Sequence, residues 1–406
     1  MVSSPIAMRI RHFPLTTSVS FVSNDPQPTV SRRVGVVGAG QLARMMGEAA
    51  NDADVEVTVL AESLDDSAVE TCGAVEIGGA SDREALTRLA ERVDVITFDH
   101  ELVDLELLSD LESSGVQLRP SSAALRFAVD KAYQRRAFAA ANLPVPRFVV
   151  VRSSTDESLL PFLDELSEMP VIKASRGGYD GRGVIFPSSR DETITAIDEL
   201  SRRGEVLVEE RQVLNSEVAQ LVVRAVDGSL VFYPAVTTVQ SKGMCVEVRF
   251  PSGFDDEQNA NIRRLSELVA TLVGGVGVLA IEYFVTDHGL VINEVALRPH
   301  NTGHWTIEGT SASQFTQHLR AVSGQALEEV SIPHPYAVMV NVVGGSAPSS
   351  LASAREVEGA YVHDYGKSWR PGRKLGHVTA LGDEPDAPRV RAWKGARAYG
   401  TVTRER

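Results

Sequence analysis

Apolar and polar positions change rhythm twice along the chain. In the first part, short apolar runs at 34–37, 55–61 and 93–98 alternate with helical spacing, and Ser81-Asp82-Arg83-Glu84 reads as a capping box that opens a helix. Buried runs separated by helices predict a doubly wound α/β unit with a parallel sheet. An Ala-rich helix is expected over 121–141, stopped by Leu143-Pro144-Val145-Pro146. Strands follow at 170–174 and 183–186, then antiparallel ones at 218–225, 230–239 and 244–250. The segment 261–273 carries Ile262, Leu265, Leu268, Val269, Leu272 and Val273 on one face before Gly274-Gly275, which predicts an amphipathic helix; 313–321 predicts another. Beyond about 330 the rhythm shortens to strands at 337–343, 361–365 and 375–381, the last two as a hairpin.

The stretch 280–306 carries the most chemistry. Residues 280–286 are β-branched and aromatic, Asp287-His288-Gly289 reads as a turn, and 290–295 is apolar again. A three-residue hairpin loop with Gly in the left-handed position would face Thr286 with Leu290 and set Glu282 opposite Glu294, both on one face. Like charges placed opposite one another destabilise a strand pair, so a cation is expected between them. Mg²⁺, a hard ion held by one or two carboxylates plus substrate phosphates, fits best. The plainer alternative is a pair of solvated glutamates, against which Ile281, Phe284, Val291 and Ile292 argue burial. Directly after Glu294, Arg298, His300, Asn301, His304, Trp305 and Thr306 form a polar run that Pro299 and Gly303 mark as loop, suited to lining a site.

Two glycine motifs point to anions. Gly177, Gly178, Gly181 and Gly183 fall within seven residues, a density that packing does not require and that lets backbone N–H groups approach an anion. Its strand–loop–strand context excludes a P-loop or a dinucleotide turn. Gly38-Ala39-Gly40-Gln41-Leu42-Ala43, with Glu62 after the second strand, matches a dinucleotide fingerprint, but the same glycines also serve a tight strand-to-helix turn with no cofactor.

Composition narrows the partners. With 406 residues, two or three domains are expected. A net charge of −14 argues against nucleic acid or an anionic membrane as the main partner. Cys72 and Cys245 are far apart and build neither a disulfide framework nor a zinc pattern, which fits a reducing cytoplasm. No apolar run reaches membrane-span length. Residues 1–33 hold four arginines and one acid and are expected to be a disordered extension, with a transit peptide or a mis-called start as the alternatives. Lys367, Arg370, Arg373 and Lys374 crowd eight residues; in an acidic chain they suit an anionic substrate as well as a plain surface turn.

Glu282, Asn293-Glu294, the run Arg298-Pro299-His300-Asn301-Thr302-Gly303-His304-Trp305-Thr306 and the Tyr179-Asp180-Gly181-Arg182-Gly183 loop resemble the metal strands, substrate loop and phosphate lid of the PurK-type 5-(carboxyamino)imidazole ribonucleotide synthases, in the ATP-grasp superfamily. The resemblance spans about residues 34 to 400. It implies an ATP-grasp fold of mixed α/β and α+β character. A Rossmann-like pre-ATP-grasp domain would occupy 34–127, the ATP-grasp domain 128–329 and a small β-rich C-terminal domain 330–406.

The implied reaction is the ATP-dependent carboxylation of 5-aminoimidazole ribonucleotide with bicarbonate, through carboxyphosphate, in purine biosynthesis. By the same resemblance, ATP is held by Lys131 and Lys173 on its phosphates and by the lid residues Gly177, Gly178, Tyr179, Asp180, Gly181, Arg182 and Gly183. Glu209, Glu210, Arg211 and Gln212 form the adenine hinge, and Glu217 takes the ribose. Gln240 stands where many relatives carry His near the triphosphate, and Asn293 and Glu294 complete the set. Glu282 and Glu294 hold Mg²⁺ or Mn²⁺. The ribonucleotide and bicarbonate fall to Tyr179, Asp180, Arg182, Arg298, His300, Asn301, Lys367, Arg373 and Lys374, the last three in a Lys…Pro-Gly-Arg-Lys…Gly-His segment. Asp180, Arg182 and Arg298 are the catalytic candidates. Leu297, where relatives usually place Pro, is a small departure. A cytoplasmic homodimer that hands its product to a mutase is also implied. The rivals are another ATP-grasp ligase, such as a formate-dependent glycinamide ribonucleotide enzyme or a biotin carboxylase-like protein, and an NAD-binding oxidoreductase.

Overall fold

The computed structural model describes residues 32–177, 183–241, 243–345 and 350–400. The first of its three sheets is parallel and four-stranded, in the order Ala74–Ile77, Glu56–Ala61, Arg33–Val37, Val95–Phe98. These strands are continuous apolar runs because both faces are covered. Val34, Val36, Val57 and Val59 pack on Leu42, Met45 and Met46 of helix Gln41–Glu48. Val37, Leu60, Ile96 and Phe98 share a core with helices Arg83–Arg92 and Leu105–Ser113. The cap of Arg83–Arg92 is Asp82, one residue later than expected, and its carboxylate accepts from the Glu84 and Ala85 N–H groups.

A second, antiparallel sheet runs Phe148–Val151, Val206–Glu209, Val171–Ala174, Val184–Ile185, backed by helices Leu159–Asp164 and Arg190–Ser201. The third sheet is antiparallel and nine-stranded. Its order is Gly289–Ala296, Gly277–Thr286, Ser216–Arg224, Val236–Ser241, Met244–Phe250, Tyr336–Val343, Lys374–Gly382, Tyr361–Asp364, with Leu230–Phe232 paired onto Ser216–Arg224. Strands beyond 330 therefore continue the same sheet through the Met244–Phe250 to Tyr336–Val343 pairing.

Two expected elements divide. The strand expected at 230–239 splits around Pro234, which has no N–H to give a ladder. The helix expected at 121–141 becomes Ser122–Val129 and Lys131–Ala140, because Asp130 is extended at φ −122°, ψ 96° and its carboxylate caps the second helix at the Tyr133 N–H. Lys131 is thereby a first-turn residue, its N–H bonded to Ser175 O at the end of the neighbouring strand. Helix Asp256–Val273 starts earlier than expected, on an Asp255–Gln258 capping box; it buries Ile262, Leu265, Val269 and Val273 but leaves Leu268 and Leu272 exposed.

The terminal helix Ala387–Tyr399 packs on the large sheet through Ala392, Trp393 and Ala396, and a buried carboxylate ties it there. Glu247, on Met244–Phe250, is fully buried and accepts from Arg249 Nε, Arg389 Nε at 3.1 Å and Trp393 Nε1. Burial alone would raise its pKa; these donors overcome that and hold it below the ordinary glutamate range. A carboxyl depressed in the folded state stabilises above its unfolded pKa of about 4.3, and that contribution is lost as pH falls through the folded value. Glu247→Gln should therefore lower the melting temperature at pH 7, by roughly 1–3 kcal/mol of stability, and flatten the acid limb of a Trp-fluorescence unfolding profile. An unchanged acid limb would show that the carboxylate is not what holds the helix.

Candidate active site

The hairpin that carries the two glutamates is built differently from the expectation yet delivers the same pair. The turn has two residues, so Thr286 faces Gly289 rather than Leu290. That register alone would set Glu282 opposite Asn293. A bulge between Glu282 and Tyr283 intervenes: Tyr283 pairs Ile292, Glu282 pairs Glu294, and Asn293 is the extra residue. Both carboxylates then lie on one sheet face, and Glu217 joins them from the next strand, since Glu282 pairs Ala219. Burial, then the charges of Glu294 and Glu217, push the Glu282 carboxyl up to about 8. Burial and Glu294 raise Glu217 as well. Among the described residues, no group of three or more His, Cys, Asp and Glu is placed to hold a metal by protein ligands alone. Two opposed, half-buried carboxylates short of positive charge fit a divalent ion completed by phosphate oxygens and water.

Facing them is a buried ion cluster. Glu209 ends the strand Val206–Glu209 and is 2% exposed, a buried carboxylate and not a solvated strand end. Its carboxylate accepts from Arg135 Nε and, at 2.5 Å, from Lys173 Nζ. Burial opposes ionisation, yet the two cations hold Glu209 at about 2. Burial, with Arg135 nearby, lowers the Lys173 pKa, and Glu209 and Glu294 partly restore it. Arg135 Nη2 continues to the Asn293 carbonyl. Arg135 went unread in the sequence because Arg135-Arg136 in an Ala-rich helix looks like a solvated face.

The loop after Glu294 is pinned from three sides. Arg298 Nε donates to Glu101 at 2.8 Å, a residue of the first domain that no local pattern singles out. Burial would lower the Arg298 pKa, but Glu101 holds it up. His300 Nδ1 lies 3.9 Å from Glu282 and 3.0 Å from Thr302 Oγ1. Asn301 begins a 3₁₀ turn. His304 lies in a buried column with His377 and His363, at ring separations of 4.9 Å for His304–His377 and 4.4 Å for His377–His363. Burial drives His304 and His377 well below the ordinary histidine pKa. His363 Nε2 meets Glu308 at 2.5 Å, and Tyr365 Oη meets His377 Nδ1 at 2.9 Å. His377 thus ties strands together and does not reach outward.

The basic hairpin is brought to the first domain. Lys367 Nζ donates to Gln41, and Ser67 Oγ donates to Tyr365 O. Arg373 Nη1 holds its own loop through Ser368 Oγ at 2.8 Å. Lys374 lies close enough to the glutamates to lower the Glu282 pKa. Glu210 is half-buried and Arg211 exposed, its guanidinium over the Phe186 ring. Gln212 Nε2 donates to Glu210 O at 3.3 Å. Gln240 sits at a second bulge, opposite Cys245. Gly177 and Gly183 flank the loop; Gly178, Tyr179, Asp180, Gly181 and Arg182 lie outside the described residues.

The Gly38–Ala43 turn is occupied by the protein itself. Asp99, at the end of strand Val95–Phe98, accepts from the Gly40 N–H at 2.5 Å and the Ala43 N–H at 3.3 Å, the groups a dinucleotide pyrophosphate would need. A Cβ on Gly40 would fall 2.6 Å from Asp99 Oδ2, and one on Gly38, at φ +96°, 2.8 Å from the His100 ring. The glycines admit Asp99 and His100.

Comparison with known proteins agrees over most of the chain. Family models match for a ribonucleotide synthetase preATP-grasp domain over 31–129, an ATP-grasp domain over 136–315 and a phosphoribosylaminoimidazole carboxylase C-terminal domain over 337–391. The N5-carboxyaminoimidazole ribonucleotide synthase of Mycobacterium tuberculosis is 42% identical over 361 residues, covering 86% of this chain and 84% of the relative. That of Corynebacterium ammoniagenes is 38% identical over 369 residues, with 88% and 89% covered. Among solved structures, an N5-carboxyaminoimidazole ribonucleotide synthetase in complex with ADP gives a TM-score of 0.83 at 30% identity, covering 91% of this chain and 97% of that one. The Aspergillus clavatus synthase in complex with ADP and 5-aminoimidazole ribonucleotide gives 0.82 at 29%, covering 91% and 98%.

With Asp99 filling the turn, NAD titrated into the protein should give no binding heat. Asp99→Ala should lower the melting temperature by stranding two N–H groups, about 1–3 kcal/mol. Saturable NAD heat together with an unperturbed Asp99→Ala variant would return the turn to a cofactor role.

Proposed function

The chain belongs to the N5-carboxyaminoimidazole ribonucleotide synthases, ATP-grasp ligases of purine biosynthesis, and from that premise we propose how its own residues carry the reaction. A bicarbonate oxygen attacks the γ-phosphorus of ATP as the bond to ADP breaks, giving carboxyphosphate. The amine of 5-aminoimidazole ribonucleotide then takes the carboxyl group, directly or as released CO₂; phosphate leaves and the amine loses a proton. The observation that carries the assignment is Glu282 facing Glu294 beside Arg298 and His300, with Lys173 and Glu209 across from them.

Transfer of a phosphoryl group needs positioning and charge neutralisation more than covalent help. Glu282 and Glu294 would hold Mg²⁺ or Mn²⁺, which would neutralise charge on the phosphates. Lys131, at a helix start, and Lys173 neutralise phosphate oxygens, and Glu217 takes the ribose. Arg298, oriented by Glu101, and His300 hold bicarbonate against the transferring group. Lys367, Arg373 and Lys374 hold the ribonucleotide phosphate. Asp180 orients or deprotonates the amine and Arg182 assists; with Tyr179 they close over an intermediate that water destroys, a role supported by the motif alone. A cytoplasmic homodimer with hand-off to a mutase is supported by family resemblance. No helix among the described residues is long and apolar enough to cross a membrane.

ADP release measured with bicarbonate, with and without 5-aminoimidazole ribonucleotide, should show stimulation by the ribonucleotide; formate in place of bicarbonate should not support it. Formate-supported turnover would favour the neighbouring ligase class. Arg373→Ala, by removing one charge-assisted phosphate contact worth roughly 1.5–3 kcal/mol, should raise KM for the ribonucleotide about ten- to a hundredfold with KM for ATP unmoved. A loss of ATP affinity instead would put the basic hairpin on the other substrate.

A further inference from the structure

The Asn293 bulge is held from outside its sheet. An inserted residue drops out of the ladder, so its carbonyl needs another donor. Arg135 provides it, with Nη2 2.5 Å from Asn293 O. The same guanidinium gives Nε to Glu209 and, at 3.1 Å, Nη1 to Gln134 Oε1, which is itself anchored when Gln134 Nε2 donates to Phe127 O. On the other side of the bulge the Ile292 N–H donates to Pro144 O at 2.7 Å. Arg135 is 2% exposed. It shares the Glu209 carboxylate with Lys173. A planar fork spans three acceptors in fixed directions, which a lysine ammonium cannot do.

We propose that Arg135 is a positioning residue that holds the Asn293 bulge, and through it the Glu294 carboxylate, in register with Glu282 for a divalent ion on the nucleotide, an assignment that rests on Glu282 and Glu294 being the nucleotide–metal face. It touches neither substrate nor metal. It links the hinge strand on the small sheet to the hairpin on the large one, so both sides of the nucleotide cleft are set by one side chain.

The test is ADP binding by calorimetry over a Mg²⁺ titration for wild type, Arg135→Met and Arg135→Lys, with thermal melting and KM for each substrate alongside. In Arg135→Met the Mg²⁺ concentration that half-maximally tightens ADP should rise about ten- to a hundredfold, the loss expected when a group orienting a metal ligand is removed. KM for the ribonucleotide should not move. Arg135→Lys regains the Glu209 contact without reaching Asn293 as well, so its melting temperature should recover more than its Mg²⁺ requirement. If Arg135→Met does not fold, Arg135→Lys carries the same criterion. Lowered melting temperatures with a wild-type Mg²⁺ requirement would make Arg135 a structural residue only and overturn the proposal. If wild-type ADP affinity is itself indifferent to Mg²⁺, the nucleotide–metal face is wrong and Arg135 falls with it, a failure visible before any substitution.

Discussion

Two carboxylates facing each other across a buried strand pair repel, and burial strengthens the repulsion by removing the water that would screen it. Glu282 and Glu294 are in this position, with Glu217 on the same face adding to the load. The hairpin tolerates them because its remaining contacts are extensive: Gly277–Thr286 pairs along its length with strands on both sides, and Tyr283, Ile281 and Ile292 sit in the largest core of the molecule. On the proposed reading, a site loaded with like charge gains stability when a cation arrives with the nucleotide, and nucleotide binding would draw on the fold in this way.

Three cations around this face, Arg298, Lys173 and Arg135, are paired with an anion that is not one of the two glutamates. Arg298 is held by Glu101, Lys173 and Arg135 by Glu209, and His300 stands 3.9 Å from Glu282 without closing a hydrogen bond. Positive charge is therefore close to the carboxylates without cancelling them. The partners come from all over the chain: Glu101 from the parallel domain, Glu209 from the small sheet, and Lys374 from the far end of the nine-stranded sheet. Because that sheet runs unbroken from the hairpin to the basic segment, the basic hairpin and the two carboxylates share one rigid support.

Much of this was legible in the chain. Continuous apolar runs identified the covered parallel strands, and period-two spacing put both glutamates on one face. The pairing of Glu282 with Glu294 came out as read although the turn is one residue shorter, since the shorter turn and the bulge each shift the register by one residue and the shifts cancel. A bulge leaves no local mark in a stretch such as Ile292-Asn293-Glu294; it depends on a donor at Arg135 and an acceptor at the Pro144 carbonyl, about 150 residues away in sequence. Glu101 and Asp99 were invisible for the same reason. The Gly38–Ala43 turn left two readings open: glycines that admit a close neighbour look alike whether that neighbour is a pyrophosphate or Asp99. Asp130 broke an expected helix because its carboxylate finds the Tyr133 N–H, a capping choice that propensity along an Ala-rich stretch does not show.

The central claim is that the Glu282–Glu294 opposition exists to hold a cation on the nucleotide. It is tested most directly by anomalous scattering from crystals grown with Mn²⁺ and ADP. A manganese peak between the two carboxylates, with phosphate oxygens completing its coordination, is the expected result. A peak elsewhere, or ADP bound with the two carboxylates still facing each other and no metal between them, would contradict it.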